Sequence, residues 1–181
     1  MTLTERLKGI NLYLVGMMGA GKSSTGAVLA RALGYQFFDT DTVLETVAGH
    51  RITEIFAQQG EAAFRQLETS VLAELSTYKQ LVIATGGGIV TRQENWSYLH
   101  QGVVVWLDVS PEVLKQRLAG DTGRPLLQGQ DWKDRVAHLQ QQREELYDQA
   151  DVRVKVNAGE AVDEIAQRTL ELVEARILPT S

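Results

Sequence analysis

Eight residues near the start of the chain, Gly16-Met17-Met18-Gly19-Ala20-Gly21-Lys22-Ser23, fit the pattern GxxxxGK[ST]. That spacing suits the phosphates of a nucleotide. The glycines let backbone wrap closely around a phosphate. The amides of Gly19, Ala20, Gly21, Lys22, Ser23 and Ser24, at the start of a helix, supply positive potential. Lys22 can reach the β- and γ-phosphates, and the Ser23 hydroxyl can meet Mg²⁺. ATP and Mg²⁺ are therefore the expected cofactors.

Other polar residues must say what such a nucleotide would do. Asp39 and Asp41 flank Thr40. One carboxylate could serve Mg²⁺ and the other an acceptor hydroxyl, or the group could simply cap a helix. In Phe64-Arg65-Gln66-Leu67-Glu68, the apolar stripe Phe64, Leu67, Val71, Leu75 also carries Glu68, with Arg65 on its edge. An inward charged pair requires mutual satisfaction or a ligand, so a structural salt bridge and an anion-binding arginine are both open. Arg143 occupies a slot between Val136, Leu139 and Leu146. It could clamp a carboxylate bidentately, or pack its stem and send its head to water. Gly86-Gly87-Gly88 fits close approach of a substrate better than a simple turn. Arg124 lies in a glycine-rich loop ahead of Pro125-Leu126-Leu127 and could cover the transferring phosphoryl group. Arg117 could stack on adenine. For both arginines a solvated surface role is the alternative. Val103 to Asp108 has the form of a Walker B strand, a pattern common to core strands. Trp96, Trp106 and Trp132 read as packing residues.

These residues need elements to hold them. Short apolar runs at Asn11–Val15, Gln36–Phe38, Leu81–Ala84, Val103–Leu107 and Val152–Val156 read as strands. Helical periodicity fills the intervals: Gly21–Leu33, about Glu61–Ser76, a helix opening at Ser110-Pro111, one ending at Tyr147, and a C-terminal amphipathic stretch. The alternation predicts an α/β protein with a parallel sheet covered on both faces. Residues 1–181 are expected to form a single domain. Its substrate-binding region would span about 40–76 and a mobile lid about 119–131.

The bulk properties limit the partners. A formal charge of −5 disfavours nucleic acid, and the cysteine count of zero removes thiolate metal sites and disulfides. His50, His100 and His138 are too scattered to form a ligand set. No apolar run approaches a membrane span, and the first residues lack the pattern of a signal peptide, so no membrane partner and a soluble, cytoplasmic location are expected. A monomer is expected for so short a chain. The length is also short for a motor ATPase, and no NKxD guanine signature follows a strand.

Taken in order, GMMGAGKS, DTD, FRQLE, GGG, RPLL and REELY resemble the shikimate kinase family from about Leu12 to Val156. The resemblance implies a P-loop kinase with three α/β/α layers and a five-stranded parallel sheet of order 2-3-1-4-5. It implies transfer of the γ-phosphoryl of ATP to the 3-hydroxyl of shikimate, a small-molecule acceptor of the aromatic amino acid route. It further implies that Asp41, Arg65, Gly86, Gly87, Gly88 and Arg143 hold shikimate, the two arginines on its carboxylate. Asp39 with Ser23 would serve Mg²⁺, Arg124 would be the lid arginine, and Arg117 would border adenine. Lys22, Asp41 and Arg124 would then be the catalytic set. The strand Leu81–Ala84 would take the Walker B place in the sheet, ending in Thr85 rather than an aspartate. The stretch around Asn157-Ala158-Gly159 matches the family's adenine loop weakly and yields no residue. The alternatives are another small-metabolite P-loop kinase, such as a gluconate kinase, and a nucleotide-binding module without an acceptor.

Overall fold

In the computed structural model, residues 1–121 and 123–177 are described; residue 122 of the expected lid and residues 178–181 of the expected domain lie outside them. Five strands form one sheet: β1 (Leu12–Val15), β2 (Gln36–Asp39), β3 (Leu81–Ala84), β4 (Val103–Val109) and β5 (Val152–Val156). All neighbours are parallel, in the order β2-β3-β1-β4-β5. Strand burial follows position. β1 and β3 are buried at every residue, as a doubly covered strand must be, whereas edge strand β5 alternates buried and exposed.

Helices α1 (Leu3–Leu7), α2 (Lys22–Leu33), α3 (Thr40–Ala48), α4 (Ile52–Ser76), α5 (Gln93–Leu99), α6 (Pro111–Leu118), α7 (Trp132–Tyr147) and α8 (Val162–Ile177), with short 3₁₀ turns at Ile89–Thr91 and Pro125–Leu127, complete the described elements. The short α1 was not anticipated from sequence. Its signal is a capping box in which Thr2 and Glu5 satisfy each other's orphan amides. α6 begins as the sequence indicated, with Ser110 as N-cap and proline in the first turn. α4 is two helices joined at Gly60, whose φ of 84° and ψ of 174° break the helical path. The expected start at Glu61 is therefore the second of these helices.

Because the sheet is parallel, the carboxyl ends of all its strands open on one edge. The chain runs from β1 to one side of the sheet and later to the other, which leaves a crevice at the switch point beside β1. Residues 16–21 follow β1 there, Asp39 and Asp41 follow β2, and Gly86–Gly88 follow β3. β3 lies directly beside β1, and Thr85 after it donates its hydroxyl to Leu14 O at 2.8 Å. Asp108, on β4, is instead ion-paired with Arg153 at 2.9 Å.

Candidate active site

Gly21 caps α2 with no side-chain hydrogen bond, so the first amides of that helix point into the crevice. Buried Lys22 folds back over the loop, and its Nζ donates to Gly16 O at 2.7 Å and Met17 O at 2.8 Å. Burial lowers its pKa to about 8. Asp41 and Asp39 draw it upward, and Arg124 and Arg143 push it further down.

Asp39 caps the following helix, one of the roles the sequence left open, and also faces the phosphate loop. Its Oδ1 caps α3, accepting from Asp41 N at 2.9 Å, while Oδ2 receives the Ser23 hydroxyl. One hydroxyl and one carboxylate oxygen beside the phosphate loop form a hard donor pair. Such a pair fits Mg²⁺, which prefers few protein ligands and completes its shell with phosphate and water. No cluster of three or more His, Cys, Asp or Glu that could hold a metal occurs among the described residues.

A cavity of about 550 Å³ gathers Gly19, Ala20, Gly21, Lys22, Ser23, Ser24, Asp39, Asp41, Gly86, Gly87, Arg117 and Arg124. Asp41 has its pKa raised, first by burial and then by Asp39, with Lys22 and Arg124 opposing. Arg124 is exposed and pairs with Asp121 at 3.1 Å. Arg117 is hydrogen-bonded to the phosphate loop itself, its Nη1 donating to Gly19 O and Ala20 O at 3.2 Å each. The cavity also reaches Glu160, Val162 and Ile165 after β5. The sequence reading carried over no residue there, because Asn157-Ala158-Gly159 matched the family's adenine loop only weakly.

Arg65, Gly88 and Arg143 are not among the residues lining this cavity; Arg65 closes on Gly88, and Arg143 on Gly87. Arg65 donates to Glu68 Oε1 at 2.8 Å and lies 3.5 Å from Glu61. Glu68 is 1% exposed, and its Oε2 has no hydrogen-bond partner. Burial raises its pKa, and Arg65 offsets part of that rise. These side chains explain two of the three glycines. A Cβ at Gly86 would meet Glu68 Oε2 at 2.7 Å and Asp41 Oδ1 at 3.1 Å, and one at Gly88 would meet Arg65 Cζ at 2.6 Å. The glycines thus make room for the protein's own charges, a reason the sequence alone did not reveal. Arg143 is only 9% exposed; it makes no ion pair among the described residues, and its guanidinium neighbours the Tyr147 hydroxyl. Its Nη1 lies 3.6 Å from where a Gly87 Cβ would stand.

Further buried polar residues went unnoticed in the sequence. Thr69 donates to Asn95 Oδ1 at 2.8 Å, Asn95 donates to Ile89 O at 2.7 Å, and Arg92 donates to Arg65 O at 3.0 Å and Thr69 Oγ1 at 2.9 Å. Together they tie α4 to the segment after the glycine loop. Thr69 beside Glu68 on an apolar helix stripe was the available signal. Trp96 and Trp106 are buried in the core, and Trp132 packs against it, as packing residues would.

A phosphate-binding loop at the switch point of a parallel sheet, with carboxylates and arginines around the adjoining cavity, defines a P-loop phosphotransferase. Comparison with known proteins narrows the class. A family model described as shikimate kinase matches residues 18–174. A shikimate kinase of Trichormus variabilis is 52% identical over 179 residues, 99% of this chain and 99% of its own. The structure of a shikimate kinase from Acinetobacter baumannii in complex with shikimate superposes with a TM-score of 0.90 at 39% identity, covering 96% of this chain and 98% of that one. A gluconokinase from Sinorhizobium meliloti shares the fold alone, with a TM-score of 0.57 at 18% identity over 92% of this chain and 93% of its own. This chain belongs to the shikimate kinase family and is an ATP-dependent phosphotransferase with an alcohol acceptor.

Proposed function

We propose that the chain phosphorylates the 3-hydroxyl of shikimate with each named residue in a separate role. The observation that carries the acceptor assignment is Arg143: a buried guanidinium without a carboxylate partner among the described residues calls for an anion from outside. Arg143 and Arg65 grip the acceptor carboxylate, and Glu68 holds Arg65 in place. Asp41 orients the acceptor hydroxyl, with Gly86, Gly87 and Gly88 bringing backbone close to the ring.

On the nucleotide side the amides of Gly19 through Ser24 cradle the phosphates. Lys22 leaves the carbonyls of Gly16 and Met17 for the β- and γ-oxygens. Ser23 and Asp39 would hold Mg²⁺, which would supply neutralisation of the phosphate charge. Arg124, carried by the lid at about 119–131, covers the γ-phosphoryl group, and Arg117 borders the adenine. Transfer forms one bond, from the acceptor oxygen to γ-phosphorus, and breaks the bond from γ-phosphorus to the bridging oxygen. The hydroxyl proton leaves toward Asp41, and ADP departs. Positioning and charge stabilisation carry most of the acceleration in such a reaction. The 40–76 region is the acceptor-binding part of one domain. The enzyme acts as a cytoplasmic monomer without nucleic-acid or membrane partners.

A coupled ADP-release assay tests this reading. ADP release that depends on shikimate is expected. Release driven by gluconate instead would assign the acceptor site to another metabolite, and no acceptor-dependent release would leave only a nucleotide-binding module.

A further inference from the structure

Tyr147 has no part in the reaction as described, yet it sits against both halves of the acceptor site. It is the last residue of α7, one turn beyond Arg143, and only 1% exposed. Its hydroxyl donates to Gly87 O at 2.6 Å, with Met17 Sδ of the phosphate loop 3.6 Å away. The ring stacks on Trp106 at a centroid distance of 5.8 Å, and Arg153 covers Trp106 at 4.3 Å. Phenylalanine would fill the same space without a polar group to satisfy, so packing does not account for the hydroxyl.

The hydroxyl's partner does. Three consecutive glycines leave their peptide planes poorly determined, because glycine occupies more of backbone space than other residues. A trans peptide points its C=O and the next N–H in opposite directions. Fixing Gly87 O on α7 therefore also fixes the direction of the Gly88 N–H. That amide donates to no protein acceptor among the described residues. Gly87 itself is held between the phosphate loop and Arg143: a Cβ there would stand 3.4 Å from Met18 N and 3.6 Å from Arg143 Nη1.

We infer that Tyr147 is a positioning residue for the acceptor: its hydroxyl sets the Gly87–Gly88 peptide and presents it, together with Arg143 from the same helix end, as one rigid surface. This rests on the proposed acceptor site. The role is specific to the acceptor, since the hydroxyl's strong bond goes to the glycine loop and not to the nucleotide cradle.

The test compares Tyr147→Phe, which keeps the stacked ring, with Trp106→Phe, which loosens the same stack and keeps the hydroxyl. Steady-state constants are measured for each substrate, with Tm alongside. Tyr147→Phe is expected to raise the shikimate KM about three- to tenfold, the range of one neutral hydrogen bond, with the ATP KM within about twofold of the parent. Trp106→Phe is expected to lower Tm without moving the shikimate KM. A Tyr147→Phe enzyme with lowered Tm but the parent's shikimate KM overturns the inference, as does an equal KM rise in both variants. In the parent protein, amide exchange gives an independent reading that does not need the variant to fold. Slowed exchange at Gly88 on adding shikimate supports the inference, and unaltered exchange there overturns it. If the parent shows no shikimate-dependent ADP release, the acceptor reading fails first, and the inference falls with it.

Discussion

Replacing Arg143 by methionine keeps most of the buried stem and removes the charged guanidinium. In the parent, the guanidinium is 9% exposed and makes no ion pair among the described residues, so folding has desolvated it without a described counter-charge. A charge-assisted pair with a carboxylate contributes about 1.5–3 kcal/mol, and each 1.4 kcal/mol or so is tenfold in affinity. The shikimate KM should therefore rise by roughly one to two orders of magnitude, while the ATP KM stays near the parent value. Stability should move the other way from most core substitutions. Removing an unpaired buried cation should leave Tm unchanged or raise it, a result that a lost internal salt bridge could not give. Coupled ADP-release kinetics and a thermal melt on the same preparation measure both. A shikimate KM within about threefold of the parent refutes the carboxylate role, and a large fall in Tm shows that Arg143 has a partner inside the protein.

Arg65→Met should behave differently although it faces the same ligand. It strands buried Glu68, whose Oε2 is already without a partner, so a loss of about 3–5 kcal/mol at neutral pH is expected along with the rise in shikimate KM. The pKa of Glu68 is raised in the folded state, so that loss should shrink as the pH falls and the carboxyl protonates; a pH-independent denaturation midpoint would contradict this. Gly88→Ala drives a Cβ to 2.6 Å from Arg65 Cζ and should displace the guanidinium, weakening shikimate binding with ATP binding intact. Calorimetry with each ligand checks it, and equal loss of both would indicate a general collapse of the loop. Lys22, lowered to about 8 from its ordinary 10.5, should lose its charge in the free enzyme above about pH 8, so kcat/KM for ATP should fall there. Between about 8 and 10.5 the unfolded chain holds the proton that the folded chain has lost, so this group adds stability as activity declines. An ATP profile flat to pH 9.5 would contradict the shift.

The nucleotide half was readable in the sequence because its chemistry is mostly backbone. GxxxxGK[ST] between a strand and a helix implies its own geometry, and the alternation of apolar strands and amphipathic helices leads to a parallel sheet. The sheet order is another matter. Which strand pairs with which depends on contacts distant in sequence, and only the family resemblance supplied 2-3-1-4-5. The acceptor half was half legible. Arg65, Glu68 and Arg143 stood out as charges on apolar stripes, but periodicity cannot say whether an inward charge has an internal partner. In the structure the two cases part: Arg65 is paired and Arg143 is not. Arg117 shows the same limit, since nothing in the spacing could place its guanidinium on the carbonyls of Gly19 and Ala20. Glu160 and Asn95 had no sequence signal strong enough to single them out.

The two halves store their specificity in different places. In the nucleotide cradle, helix amides and glycine backbone meet phosphate, an arrangement that any P-loop protein can reuse and that names no acceptor. On the acceptor side, folding has paired Arg65 with Glu68 and left Arg143 without an ion pair among the described residues. A neutral acceptor would restore no balance there and would have to enter beside an uncompensated cation. A monoanionic acid supplies one negative charge where one is lacking. Selectivity for an acid over its uncharged analogue therefore follows from the unpaired Arg143, and an ester of the acceptor, which also loses its pairing with Arg65, should bind the parent at least as poorly as the free acid binds Arg143→Met.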